Sequence, residues 1–138
     1  MPAKSAKKKA KGAKKQANVE ALNRKLQAAI LADDEGGVRA AVERGADVDG
    51  VMANGYAIEN LAPLHHAAWP GNDRMVRLLV EGLGANVDVV DPGGWTAMHA
   101  VSANGNAETV KTLAQLGANI NRQDGNGRTP LLLSLIHI

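Results

Sequence analysis

Residues 91–123 read DPGGWTAMHAVSANGNAETVKTLAQLGANINRQ, and the order of residue types within them decides the fold. Asp91, Pro92, Gly93 and Gly94 place four turn-forming residues in succession. A segment of mostly small residues follows, Thr96 to Ala103, and Asn104-Gly105-Asn106 breaks it. A second apolar-periodic segment runs to Leu116, and Gly117 stops it. The same order recurs on both sides. Asp124-Gly-Asn-Gly-Arg-Thr-Pro-Leu131 restarts it. Ala62-Pro-Leu-His65 and Gly84-Ala-Asn-Val-Asp88 belong to the preceding copy, and Gly45-Ala-Asp-Val-Asp49 ends one before that.

The spacings establish an internal repeat. Gly84 to Gly117 is 33 residues, and so is His99 to Leu132, which holds the equivalent slot. His65 to His99 is 34, because Glu81-Gly82-Leu83 carries one extra residue before Gly84. Gly45 to Gly84 is 39, which is that extra residue plus five more between Asp49 and Leu61. A 33-residue period built of a turn and two short helices resembles the ankyrin repeat. The residues that carry the resemblance are Asp91–Gly94, Thr96–His99, Gly105, Val110, Leu113 and Gly117–Asn121, and it extends over residues 24 to 132. It implies an all-α, ankyrin-repeat solenoid of stacked helix-turn-helix units with β-turn tips.

The chain then divides as follows. Residues 1–17 are a basic tail, 18–50 an N-terminal capping ankyrin-like repeat and 51–90 a repeat with a loop insertion. Residues 91–123 are a regular repeat, and 124–132 begin a truncated one. No single unit closes a core alone, so stability is a sum of unit and interface contributions. Phe is absent, so the core is expected to be built from Leu, Val, Ile and Ala. Cysteine is absent too, which removes disulfides and thiolate metal sites. No apolar run approaches membrane-spanning length, and the N-terminus lacks the apolar stretch of a secretory signal.

The net charge of +2 hides two opposite parts. Residues 1–17 hold seven Lys and no acid, whereas residues 18–138 hold nine basic and fourteen acidic side chains, so the body is −5. The tail has no apolar residue larger than Ala beyond Met1 and is expected to be disordered. Its Lys7, Lys8, Lys9, Lys11, Lys14 and Lys15 are candidates for polyanion contact or nuclear import, against the plain alternative of a solubilising leader. The expected address is cytoplasmic or nuclear.

From Asn18 to Leu31, Val19, Leu22, Leu26, Ala29 and Ile30 recur at helical spacing. Gln27 stands in the slot that is His65 and His99 in later copies, as expected of a polar capping unit. Asp33 to Gly37 breaks the helices, and Gly45 stops the second one in a left-handed conformation that a β-carbon penalises. The segment Asp49 to Leu61 is an insertion with a strong Asn54-Gly55 turn signal. Ala62 stands where the family has a capping Thr, Thr96 is followed by Ala97 instead of Pro, and only Thr129-Pro130 keeps both.

The last six residues, 133–138, are expected to be non-native. The end of a common transposase library adapter, read CTG-TCT-CTT-ATA-CAC-ATC, encodes Leu-Ser-Leu-Ile-His-Ile, and Leu135 and Ile136 fit poorly where two helices approach. On this reading the chain is the N-terminal fragment of a longer protein.

The resemblance also implies where function resides. Family members recognise protein partners through turn tips and the exposed concave face of the first helices. At the tips this selects Leu61, Val90, Pro92, Gly93 and Trp95, then Gln123, Gly125, Asn126 and Arg128. Before the mid-repeat glycine it selects Trp69 and Pro70, then Ala103 and Asn104, and Tyr56 lies in the inserted turn. Trp, Tyr and Arg dominate interface hot spots. The family's His is structural and ties neighbouring turns together, so His65 and His99 are expected to be neither catalytic nor metal ligands. No catalytic or cofactor-binding constellation is recognisable, and no cofactor is expected. The expected activity is non-catalytic protein binding by a monomer. The alternatives are a nucleic-acid- or chromatin-associated adaptor using the Lys tail, and an N-terminal targeting fragment of a longer enzyme.

Overall fold

The computed structural model describes residues 18–50 and 61–131. The basic tail 1–17, the inserted turn 51–60 with Tyr56, and the terminal residues 132–138 lie outside the described residues. Six helices follow in order. Helix α1 covers 18–31. Helices α2 (Glu35–Glu43), α3 (Pro63–Ala68) and α4 (Asp73–Arg77) come next, then α5 (Ala97–Asn104) and α6 (Ala107–Gln115). A further helix starts at Pro130. Among the described residues no element is an extended strand, and no helix is long and apolar enough to cross a membrane.

Helices α3 and α5 pack side by side, as do α4 and α6, and each pair α3–α4 and α5–α6 is antiparallel within its unit. The first helices are parallel and in register. At their N-terminal ends His65 Nε2 donates to the Trp95 carbonyl at 2.8 Å, and at their C-terminal ends Asn104 Nδ2 donates to the Trp69 carbonyl at 3.2 Å. Between the layers lie Leu26, Ile30, Val38, Leu64, Val76, Leu79, Val101 and Leu113. Met75 and Met98 join them, both fully buried, so methionine fills some of the volume that Phe would otherwise occupy.

Each second helix is capped by an Asx side chain. Asp34 accepts from Gly37 N–H, Asn72 from Met75 N–H and Asn106 from Thr109 N–H. Such a cap contributes about 1 kcal/mol by satisfying an amide that has no intrahelical partner. One residue earlier the chain is left-handed in all three copies: Gly71 (φ 81°), Gly105 (φ 75°) and, in the first unit, Asp33 (φ 55°). Asp tolerates this region better than most residues with a β-carbon. Its carboxylate is then used between units, accepting from Asn72 Nδ2 and Arg74 Nη2, each at 2.8 Å.

The extra residue of the 51–90 unit is accommodated inside its second helix. After Arg77 the chain widens into a π-turn, Leu78–Gly82. Leu83 N–H donates to the Leu78 carbonyl five residues back, and Ala85 N–H reaches Leu79, six residues back, at 2.8 Å. The corresponding closing bonds elsewhere span five residues, Ala46 to Ala41 and Ala118 to Leu113, each at 3.0 Å. A π-turn takes up one residue without breaking the helix axis. Leu79 and Ala85 thereby hold the same core places as Leu113 and Ala118.

Ala62 is the N-cap of α3 and has no side-chain acceptor, whereas Thr96 Oγ1 accepts from His99 N–H in the equivalent place. Both residues are fully buried. Ala62→Thr should therefore stabilise the protein by about 0.5–2 kcal/mol through a restored cap. Urea denaturation measures it: an unchanged midpoint would mean that the hydroxyl finds no amide at the start of α3.

Candidate functional site

The turn tips are built by hydrogen bonds that run from one unit to the next. In Gly-Ala-Asx-x-Asx the first Asx folds its own turn: Asp47, Asn86 and Asn119 accept from the amides of Asp49, Asp88 and Asn121 at 3.0 Å each. The second Asx reaches forward. Asp49 Oδ1 accepts from Asn86 N–H at 2.9 Å, and Asp88 Oδ1 accepts from Asn119 N–H at 2.8 Å. Asn23 of α1 starts this ladder by accepting from Asp47 N–H at 2.8 Å. The ladder was not read from the sequence, although its signal, Asx at alternate places after each glycine stop, is present in every copy.

His65 and His99 form a second ladder. Each Nδ1 accepts from the amide three residues earlier, Ala62 at 3.2 Å and Thr96 at 3.1 Å. Each Nε2 then donates to a carbonyl of the next turn, Trp95 for His65 and Arg128 for His99. These partners fix the neutral Nε2–H tautomer, because an amide donor meets Nδ1 and a carbonyl meets Nε2. Both rings are almost wholly buried and both nitrogens are used, which leaves neither a lone pair for a metal nor a base for a substrate. Among the described residues no group of three or more His, Asp or Glu side chains is placed to hold a metal ion.

The two tryptophans differ. Trp69, the C-cap of α3, leaves half its surface exposed, and Pro70 and Asn104 beside it are exposed as well. Trp95 is half-buried and joins two units. Its indole N–H donates to Asp124 Oδ2 at 2.8 Å, and its ring stacks on His99 with centroids 6.3 Å apart. The two indoles therefore stand at opposite ends of the first-helix row, Trp95 before the start of α5 and Trp69 after the end of α3. Of the other sequence-selected places, Pro92, Gly93, Gln123, Gly125 and Asn126 are exposed, and Leu61, Val90, Ala103 and Arg128 are half-buried.

Asp124 was not singled out from the sequence, yet it is the most highly bonded side chain of the tips. Oδ1 accepts from the amides of Asn126 and Arg128, and Oδ2 from Trp95 Nε1 and Arg128 Nε. Burial pushes the carboxyl pKa up, but those four donors, the Arg128 amide foremost, outweigh it and hold the pKa at about 2. The Arg128 guanidinium lies 6.0 Å over the Trp95 ring. The turns touch at their backbones too, where Gly125 N–H donates to the Gly93 carbonyl at 2.9 Å. Gly94 there has φ 80°, and a β-carbon on it would fall 2.8 Å from Gly125 N.

Burial lowers the His65 pKa, against opposing contributions from the Trp95 carbonyl and Asp91. Burial and the neighbouring His65 lower that of half-buried His66, whose buried Nε2 has no partner among the described residues. Above the unfolded value of about 6.5 neither state binds these protons. Below it the unfolded chain takes them up first, so stability is fully present above about pH 6.5 and falls as the pH drops toward the folded values. The denaturation midpoint should decline across that window, and His65→Gln should flatten the decline. His99→Gln should cost about 1–3 kcal/mol by leaving buried polar groups unpaired, and divalent metal ions should leave the melting temperature unchanged. A metal-dependent rise would show instead that the imidazoles act as ligands.

The sequence profile of the family described as ankyrin repeats, three copies, matches residues 64–137. A 53-residue stretch is 47% identical to human (Homo sapiens) fibronectin type 3 and ankyrin repeat domains protein 1, covering 37% of this chain and 15% of that protein. The mouse (Mus musculus) B-cell lymphoma 3 protein homolog is 34% identical over 93 residues, 67% of this chain and 20% of the relative. Human protein phosphatase 1 regulatory subunit 27 is 36% identical over 70 residues, 51% of this chain and 45% of the relative. The matches thus span less than half the length of each of these relatives. The 33-residue period, the paired helices, the imidazole bonds between turns and the family match agree: this chain belongs to the ankyrin-repeat family.

Proposed function

We propose that the chain is a non-catalytic interaction module that holds a protein partner along the row of first helices and turn tips. The observation that carries this is Trp69. Half of a large apolar ring stands in solvent at the end of α3, beside exposed Pro70 and Asn104. Burying such a ring gains much apolar contact for two side-chain torsions, which is why Trp is enriched at interface hot spots. A relative named as a regulatory subunit agrees with a binding role. The proposed address is cytoplasmic or nuclear.

Trp69→Ala should weaken binding to a captured and identified protein partner by about 2 kcal/mol or more, with little change in melting temperature. Equal affinity of the variant and the wild type would refute the reading. Trp95→Ala is a less clean probe, since Trp95 also holds Asp124 and stacks on His99.

A second reading concerns the tail. Seven Lys without an acid among residues 1–17, ahead of an acidic body, favour contact with a polyanion such as nucleic acid, or with an import receptor. Removing residues 1–17 should abolish salt-dependent retention on a DNA column and leave the unfolding midpoint unchanged. Retention that survives the truncation would exclude the tail as the contact.

A further inference from the structure

Resting on the interaction-module reading, we infer that the tip formed by Trp95 and Arg128 reads a carboxylate side chain on the partner. The argument starts from the donors of Arg128. A guanidinium carries five N–H groups in a fixed plane. Nε is bonded to Asp124 Oδ2 at 3.0 Å, whereas Nη1 and Nη2 bond no described residue. The side chain is about a third exposed, so these nitrogens have access to solvent.

The group is also held in place before any partner arrives. Asp124 fixes one edge of the guanidinium, and the guanidinium lies over the Trp95 indole. Trp95 is itself fixed by its bond to Asp124 and its stack on His99. A cation held this way loses little side-chain entropy on binding, and its free edge matches a planar two-oxygen acceptor. Asp124 does not compete for that edge, because both of its oxygens are already occupied.

The same place in the three turns, just before the helix cap, is Leu61, Trp95 and Arg128. Only the last is cationic. Its counterpart to Asp124 in the preceding turn, Asp91, bonds backbone amides alone through Oδ1. The acceptor is assigned as a carboxylate and not a phosphate on charge grounds. The surrounding body is −5, and a dianion placed beside Asp124 meets more repulsion than a monoanion does. The partner segment therefore presents a carboxylate side chain, Asp or Glu, to this edge.

The test uses the full chain labelled with ¹⁵N and observes the Arg128 Nε and Trp95 Nε1 resonances. Acetyl-Leu-Glu-Glu-Leu-amide is titrated in, with acetyl-Leu-Gln-Gln-Leu-amide and inorganic phosphate as parallel arms. The Glu peptide should move both resonances saturably and bind at least about tenfold more tightly than the Gln peptide, as the loss of a charge-assisted hydrogen bond requires. Arg128→Lys keeps the charge but not the planar edge, and should weaken the Glu peptide by a similar factor. Equal binding of the two peptides, stronger binding of phosphate, or no saturable shift overturns the inference. If Arg128→Lys alters the melting temperature, the comparison of peptides on the unmodified chain decides alone. A negative result here leaves the interaction-module reading intact, since that reading fails only if Trp69→Ala spares the affinity for the captured partner.

Discussion

Every unit of this protein depends on its neighbour to satisfy backbone groups that it cannot satisfy itself. The second Asx of each tip accepts an amide from the next unit, as Asp49 does from Asn86 and Asp88 from Asn119. Each buried histidine donates to a carbonyl of the next turn. An unpaired buried amide or carbonyl costs about as much as several kcal/mol of apolar burial gains. These rungs therefore fix the spacing and register of the stack, and the apolar core fills the space that they define.

The same constraint orders the helices and the tips between them. Helices of six to nine residues are marginal alone. Here α2, α5 and α6 are held at their N-termini by Asx or Thr caps, and the second helices are closed at their glycine stops by bonds such as Ala118 to Leu113. The exposed ion pairs between second helices, Arg74 with Asp33 and Glu35, add little by comparison, since solvent screens them. Side chains stand out from this frame at two levels. Trp69 projects from the far end of the helix row, and Arg128 is fixed over Trp95 at the tips.

Trp95 shows how one side chain serves both frame and surface. Its sequence place, one residue before a helix cap, is a variable tip position in the family and gives no hint of a partner 29 residues ahead. Asp124 in turn looks like an ordinary turn aspartate until its second oxygen is seen to gather Trp95 and Arg128. Trp95 thus anchors the turn while part of its ring faces solvent, which separates it from the more exposed Trp69.

The sequence by itself determined the period, the helix pairs, the breaks and the family. Those are carried by local conformational demands: glycine or Asx where the chain is left-handed, small residues where helices approach, and a histidine three residues after the first-helix caps at Ala62 and Thr96. It also marked tip and helix-end places such as Trp69, Pro92 and Gln123, which the fold leaves exposed. Tertiary structure alone decided which acceptor each Asx and each imidazole meets, because the partner lies about one period away and is chosen by stacking. It also decided that the extra residue near Gly82 widens a helix turn and leaves the loop after it intact. A periodic text records what each unit needs, whereas the pairing of those needs across units exists only once the units are packed.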